Sequence, residues 1–74
     1  MNKSFLAYIE RDVESGAFIG VVPSLGNAST CADTLEELHE MLRELISLEL
    51  EAMNDEDKKL LPEFHGLATI DVAV

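Results

Sequence analysis

A chain of 74 residues supports one domain and no more. It carries 5 Lys+Arg against 15 Asp+Glu, a formal net charge of -10, which repels phosphate backbones and argues against direct contact with nucleic acid. A hydrophobic content of 47% excludes a disordered chain, the single Cys31 excludes an internal disulfide, and no stretch is long and apolar enough to span a membrane. Charge appears early in the N-terminal sequence, before any apolar run of signal-peptide length, so a cytoplasmic protein is expected. A domain this small buries only about 60% of the surface its unfolded chain exposes, which makes association a natural source of added stability.

From Ser4 to Glu10 the chain alternates, with Phe5, Ala7 and Ile9 on one face and Leu6, Tyr8 and Glu10 on the other, predicting a strand. Asp12 to Gly16 reads as a turn in which Gly16 takes positive φ. Ala17 to Val22 is rich in β-formers and predicts a second strand, ended by Pro23, which cannot donate to a ladder. A second turn spans Pro23 to Asn27, and Ala28 to Ala32 is a short third strand. Thr34-Leu35-Glu36-Glu37 has the form of a capping box, opening a helix that runs to about Met53, with Asn54 as a left-handed stop. A charged connector follows, with one helical turn around Lys58. Gly66 to Val74 alternates again, placing Ala68, Ile70, Val72 and Val74 on one face of a fourth strand.

The expected fold is therefore α+β, in the order β-β-β-α-β: a three-stranded antiparallel meander, one long helix and a fourth strand. A right-handed crossover would set the fourth strand beside the first, in spatial order 3-2-1-4.

On the helix, Leu38, Met41, Leu42, Leu45, Leu48 and Ala52 share one side, extended by Leu35, Ile46, Met53 and Leu50. This arc is wider than the stripe of about 100° that packing on one sheet requires. The connector or another molecule would cover the excess. Glu49 falls inside the arc, where its stem can carry the carboxylate to water or to a salt bridge across an interface. The opposite side carries Glu36, Glu37, Glu40, Glu44 and Glu51, with Arg43 beside them. Glu36, Glu40 and Glu44 stand at i, i+4, i+8, where like charges cost about 0.2–0.5 kcal/mol per pair. They are the candidate residues for binding a basic partner, against the simpler reading of a solvated face. An apolar edge strand is normally paired or covered, so Ile70 and Val72 are the candidate contacts of a homo-oligomer, a dimer.

Catalytic signatures are not found. The glycines Gly16, Gly20, Gly26 and Gly66 form no phosphate-cradling loop. Cys31, His39 and His65 match no zinc spacing, so neither a metal nor a cofactor is expected. Cys31 reads as a small buried hydrophobe, His39 as half-buried at the border of the helix's apolar side, and His65 as solvated. A Cys31–His39 pair would lack an oxyanion hole and an orienting residue. Glu10, a helical glutamate and Asp71 are the carboxylates that a metal nuclease of ribonuclease H topology would use, but the helical glutamates mostly face away from the sheet. The expectation is a binding protein, not an enzyme.

Several segments resemble one known family. They are the early strand with Tyr8 and Ile9, then Gly16-Ala17-Phe18 and Val22-Pro23-Ser24-Leu25, then Ala32-Asp33-Thr34-Leu35-Glu36-Glu37, and Leu61-Pro62-Glu63. Together they are similar to the HicB-like antitoxins, over almost the whole chain. The chain departs from that pattern at Ser24, at Gly26-Asn27-Ala28, at Ala32 and at Leu38. The resemblance implies a single HicB-like domain over residues 1–74 with a partial, non-catalytic ribonuclease H-like fold. It also implies an antitoxin that masks a small basic HicA-like ribonuclease, here without the C-terminal DNA-binding module that longer members carry. Solitary HicB-like domains, binding another protein or a small ligand with no toxin, are the alternative.

Overall fold

The β-forming residues and the turn residues between them build a meander. Strands β1 (Tyr8–Arg11), β2 (Phe18–Val22) and β3 (Ala28–Ala32) pair antiparallel in the order β1-β2-β3. The computed structural model describes residues 4–74, so the first three positions of the expected 1–74 domain lie outside the described residues. The register sets Ile9 opposite Gly20 and Gly20 opposite Thr30, and it sets Glu10 opposite Ile19 and Ile19 opposite Cys31. Because side chains alternate along a strand, these two rows lie on opposite faces of the sheet.

The two turns are built differently. In the first, the Asp12 carboxylate accepts from the Ser15 hydroxyl at 2.7 Å and from the Ser15 amide at 3.1 Å. The Ser15 oxygen in turn accepts from the Ala17 amide, at 3.2 Å. The Gly16 amide donates to the Asp12 carbonyl at 2.8 Å with Gly16 at φ +77°, the conformation expected of it. In the second turn, Pro23–Leu25 forms a single 3-10 turn, and Gly26 and Asn27 both take left-handed φ to return the chain into β3.

Helix α1 (Leu35–Glu51) begins where the capping box places it, the Thr34 hydroxyl accepting from the Glu37 amide at 3.1 Å. It ends at Ala52, whose amide donates to the Leu48 carbonyl. Asn54 is not the left-handed stop expected of it. It is extended, at φ -82°, and its side chain caps a short second helix, α2 (Asp55–Lys59), by accepting from the Asp57 amide at 2.8 Å. The local preference of asparagine for a cap is thus used at a helix start.

The core is small and sits under the first half of α1. Val22, Leu25, Leu38 and Leu42 are buried, with Phe5, Ala7, Phe18, Ala28, Ala32, Leu45, Ile46, Met53 and Leu61 packed partly against them. Gly20 is the closest point between the layers. A Cβ built on it would lie 2.8 Å from Leu42 Cδ1 and 3.0 Å from Cδ2, so the absent side chain is what lets Leu42 reach the sheet.

Residues 67–74 do not complete the sheet as a fourth strand. They form no strand, and among the described residues the sheet holds three strands, in the order β1-β2-β3. Alternation shows that a segment suits a pleated surface; strand formation also needs a hydrogen-bonded neighbour, and among the described residues these pair with no strand.

Leu42→Ala is expected to cost about 2–5 kcal/mol in urea denaturation, and Gly20→Val about 1–3 kcal/mol, through opposite faults at one contact. Gly20→Ala should cost less in a Leu42→Ala background than alone, a non-additivity that a double-mutant cycle reads directly.

Hydrogen bonds from Ser15, the hydroxyl first and then the amide, hold the Asp12 carboxyl below the usual carboxylate range. A carboxyl depressed on folding contributes stability that is present above its unfolded pKa and lost as pH falls through the folded one. Ser15→Ala should move the Asp12 titration, followed by carboxyl NMR, upward toward the ordinary value.

Candidate functional site

Two neighbouring surfaces of α1 stand out, with Arg43 between them. The first is acidic. Helical spacing carries Glu36, Glu40 and Glu44 away from the sheet, and all three are exposed, as are Glu37, Glu51 and Arg43. Glu36 and Glu37 occupy the first turn, where the helix N-terminus favours anions; Glu40 and Glu44 lie beyond that relief. The result is a negative stripe on a rigid element.

The second surface is a groove of about 720 Å³ between α1 and the start of the chain. It exists because α1 packs over β3 and β2 and leaves the helix side of β1 uncovered. Phe5, Ala7 and Ile9 form its floor, while Leu42, Ile46 and Leu50 form its wall. His39 and Arg43 lie along the polar side of that wall. His39 is exposed here rather than half-buried, because the groove it lines is open. The apolar arc is indeed wider than the sheet covers: Met41 and Leu48 on one flank are exposed, and Leu50 on the other is only partly buried. Glu49 is half-buried within the arc.

Ile70 and Val72, the expected oligomer contacts, are 78% and 75% exposed. The preceding residues Pro62–Leu67 pass a hollow of about 670 Å³ shared with Phe5, Leu6 and Pro23, in whose lining the exposed His65 stands.

The remaining chemical candidates are not brought together. Cys31 is exposed and not buried as expected. It lies in the row with Ile19 and Glu10, on the face turned away from α1, so the sheet separates it from His39. Glu10 shares that outer face, whereas Asp71 lies in the C-terminal segment and the helical glutamates project from α1. Among the described residues no group of three or more His, Cys, Asp and Glu is placed to hold a metal ion. No helix among them is long and apolar enough to cross a membrane. The groove itself was not legible in the sequence, although Gly20 in the middle of a strand is the mark of a close approach.

A two-layer domain with one bare sheet face and an acidic helix is the class defined by this geometry. The chain is 38% identical over 72 residues to a UPF0150 protein of Thermotoga maritima, covering 97% of this chain and 93% of that one. It is 40% identical over 73 residues to UPF0150 protein ssr1258 of Synechocystis sp., covering 97% of this chain and 100% of the relative. The chain belongs to the UPF0150 family. No family model matches it, and no solved structure does.

Proposed function

We propose that this protein is a HicB-like, antitoxin-type binding module that masks a small, basic HicA-like ribonuclease through the acidic side of α1. The observation that carries this reading is the stripe of Glu36, Glu40 and Glu44, all exposed on one rigid helix of a chain with net charge -10. Their mutual repulsion, about 0.2–0.5 kcal/mol per pair, is relieved when a cationic surface docks. Complementary charge of this kind also raises the rate of encounter and gives it a steep salt dependence. The segments around Val22-Pro23-Ser24-Leu25 and Asp33-Thr34-Leu35-Glu36-Glu37, which carry the HicB-like resemblance, form the second turn and the start of α1. In this reading the protein acts by covering the ribonuclease and catalyses nothing itself, and it works in the cytoplasm.

A second reading has its own support. The match covers 100% of the Synechocystis relative, so there the domain stands alone. A solitary domain of this kind would bind another protein or a small ligand, with no toxin.

Pull-down of a HicA-like toxin separates the two. The wild-type protein should capture it at low salt and lose it as salt rises. The Glu36→Gln/Glu40→Gln/Glu44→Gln triple variant should bind about tenfold more weakly, a difference of ~1.4 kcal/mol, with a flatter salt dependence. Equal capture by both proteins at every salt concentration would remove the stripe as the binding surface, and no capture by either would favour the solitary domain.

A further inference from the structure

We infer that β3 is the contact strand of a two-fold dimer, pairing antiparallel with β3 of a second copy of this chain so that the two sheets join in the order β1-β2-β3-β3-β2-β1. Among the described residues β3 pairs with β2 alone and ends the sheet, so its far side carries backbone groups that no strand of this chain meets. Its sequence, Ala-Ser-Thr-Cys-Ala, has no charge and no proline, and its register with β2 runs without a bulge. Sheet edges that stay single are normally guarded by one of these devices or by being very short. The other end of the sheet is guarded in this way: β1 has 4 residues and finishes in Glu10 and Arg11.

The strip is complementary to itself, which selects a second copy as its partner. A two-fold axis through an antiparallel strand pair keeps the helix side of both sheets on one face, so opposed residues must share a face. The register that then matches every residue of β3 centres on Thr30. It sets Ala28 opposite Ala32 and Ser29 opposite Cys31, with a pair of threonines on the axis. One position further out, Asp33 falls opposite Asn27 and not opposite another acid. Two copies of a chain with net charge -10 repel one another, and the strand on which they would meet holds no carboxylate.

The helix layer fits the same axis. The groove marks the β1 side of α1, so the opposite flank, with Met41 and Leu48, lies on the β3 side. These two side chains are 41% and 58% exposed. Strands lie about 4.8 Å apart, so a helix centred on β2 and β3 stands about 5 Å from an axis just beyond β3, and the two helices about 10 Å from each other. Packed helices lie about 8–10 Å apart, so joining the edges brings the two apolar flanks together. The 5 residues of β3 are fewer than the roughly 20–30 per side of a standard interface, and the flanks are therefore needed to hold the dimer.

The test is light scattering of the full chain at tens of micromolar, with reductant present so that disulfides through Cys31 make no contribution. The unmodified protein is expected to show a dimer mass. Ser29→Glu/Cys31→Glu sets like charges opposite one another at both pairs and should give a monomer; Ser29→Lys/Cys31→Glu sets opposite charges there and should restore the dimer. Both positions are exposed and outside the core, so the helical circular dichroism should be the same in all three proteins. Leu48→Glu should raise the dimer Kd about tenfold or more. A monomer mass for the unmodified protein overturns the proposal. So does a dimer that survives the paired glutamates, a Lys/Glu variant that stays monomeric, or a dimer indifferent to Leu48→Glu.

Discussion

The contact of Leu42 with Gly20 sets the distance between the two layers, and most of the molecule follows from it. A glycine in the middle strand gives up side-chain packing and conformational economy, which in isolation weakens a strand. Here it opens a recess into which a leucine from the helix descends, with its Cδ atoms so near the backbone that no Cβ fits without movement. With the axis of α1 fixed at that point, Leu38 falls over Val22 and Leu25 to close the core. The helix is thereby centred on β2 and β3, and β1 is left partly bare.

That asymmetry sorts the surface. The apolar arc of α1 continues past the sheet into an open groove, and beside it stands a row of exposed glutamates. The core of four buried side chains among the described residues is thin for a domain, as expected of a chain whose surface is large relative to its volume. Much of the apolar content that the composition records is therefore on the outside: in residues 67–74, along the helix flanks, and on the outer sheet face at Tyr8 and Ile19.

Local signals in the sequence located the local structure well. The capping residue Thr34 marks the helix start, Gly16 and Pro23 mark the turns, and the β-rich runs mark the strands, because each depends only on residues within a few positions. Leu38 and Leu42 were identifiable as core from helical spacing alone. Harder to read were the features that depend on which neighbour a segment meets. Cys31 lies on a strand whose pattern, Ala-Ser-Thr-Cys-Ala, has no strong apolar alternation, so its outward side is set by the register with Ile19 and not by the pattern. Residues 67–74 have the correct pattern for a strand, but a pattern cannot specify whose edge it joins. The acidic positions Glu36, Glu40 and Glu44 are legible as an exposed stripe; the groove beside them depends on where α1 comes to rest on the sheet, which no local motif encodes.

The connectivity also has a consequence for synthesis. Every strand pairing joins neighbours along the chain and is complete by Ala32, whereas the residues that cover Val22 and Leu25 come from α1, around Leu38 and Leu42. At about 5–20 residues per second, a ribosome needs on the order of one second to add the ten residues separating Ala32 from Leu42. During that interval the nascent meander can hydrogen-bond but has nothing to shield its inner face. That inner face can be covered only once the stretch of α1 carrying Leu38 and Leu42 has been made.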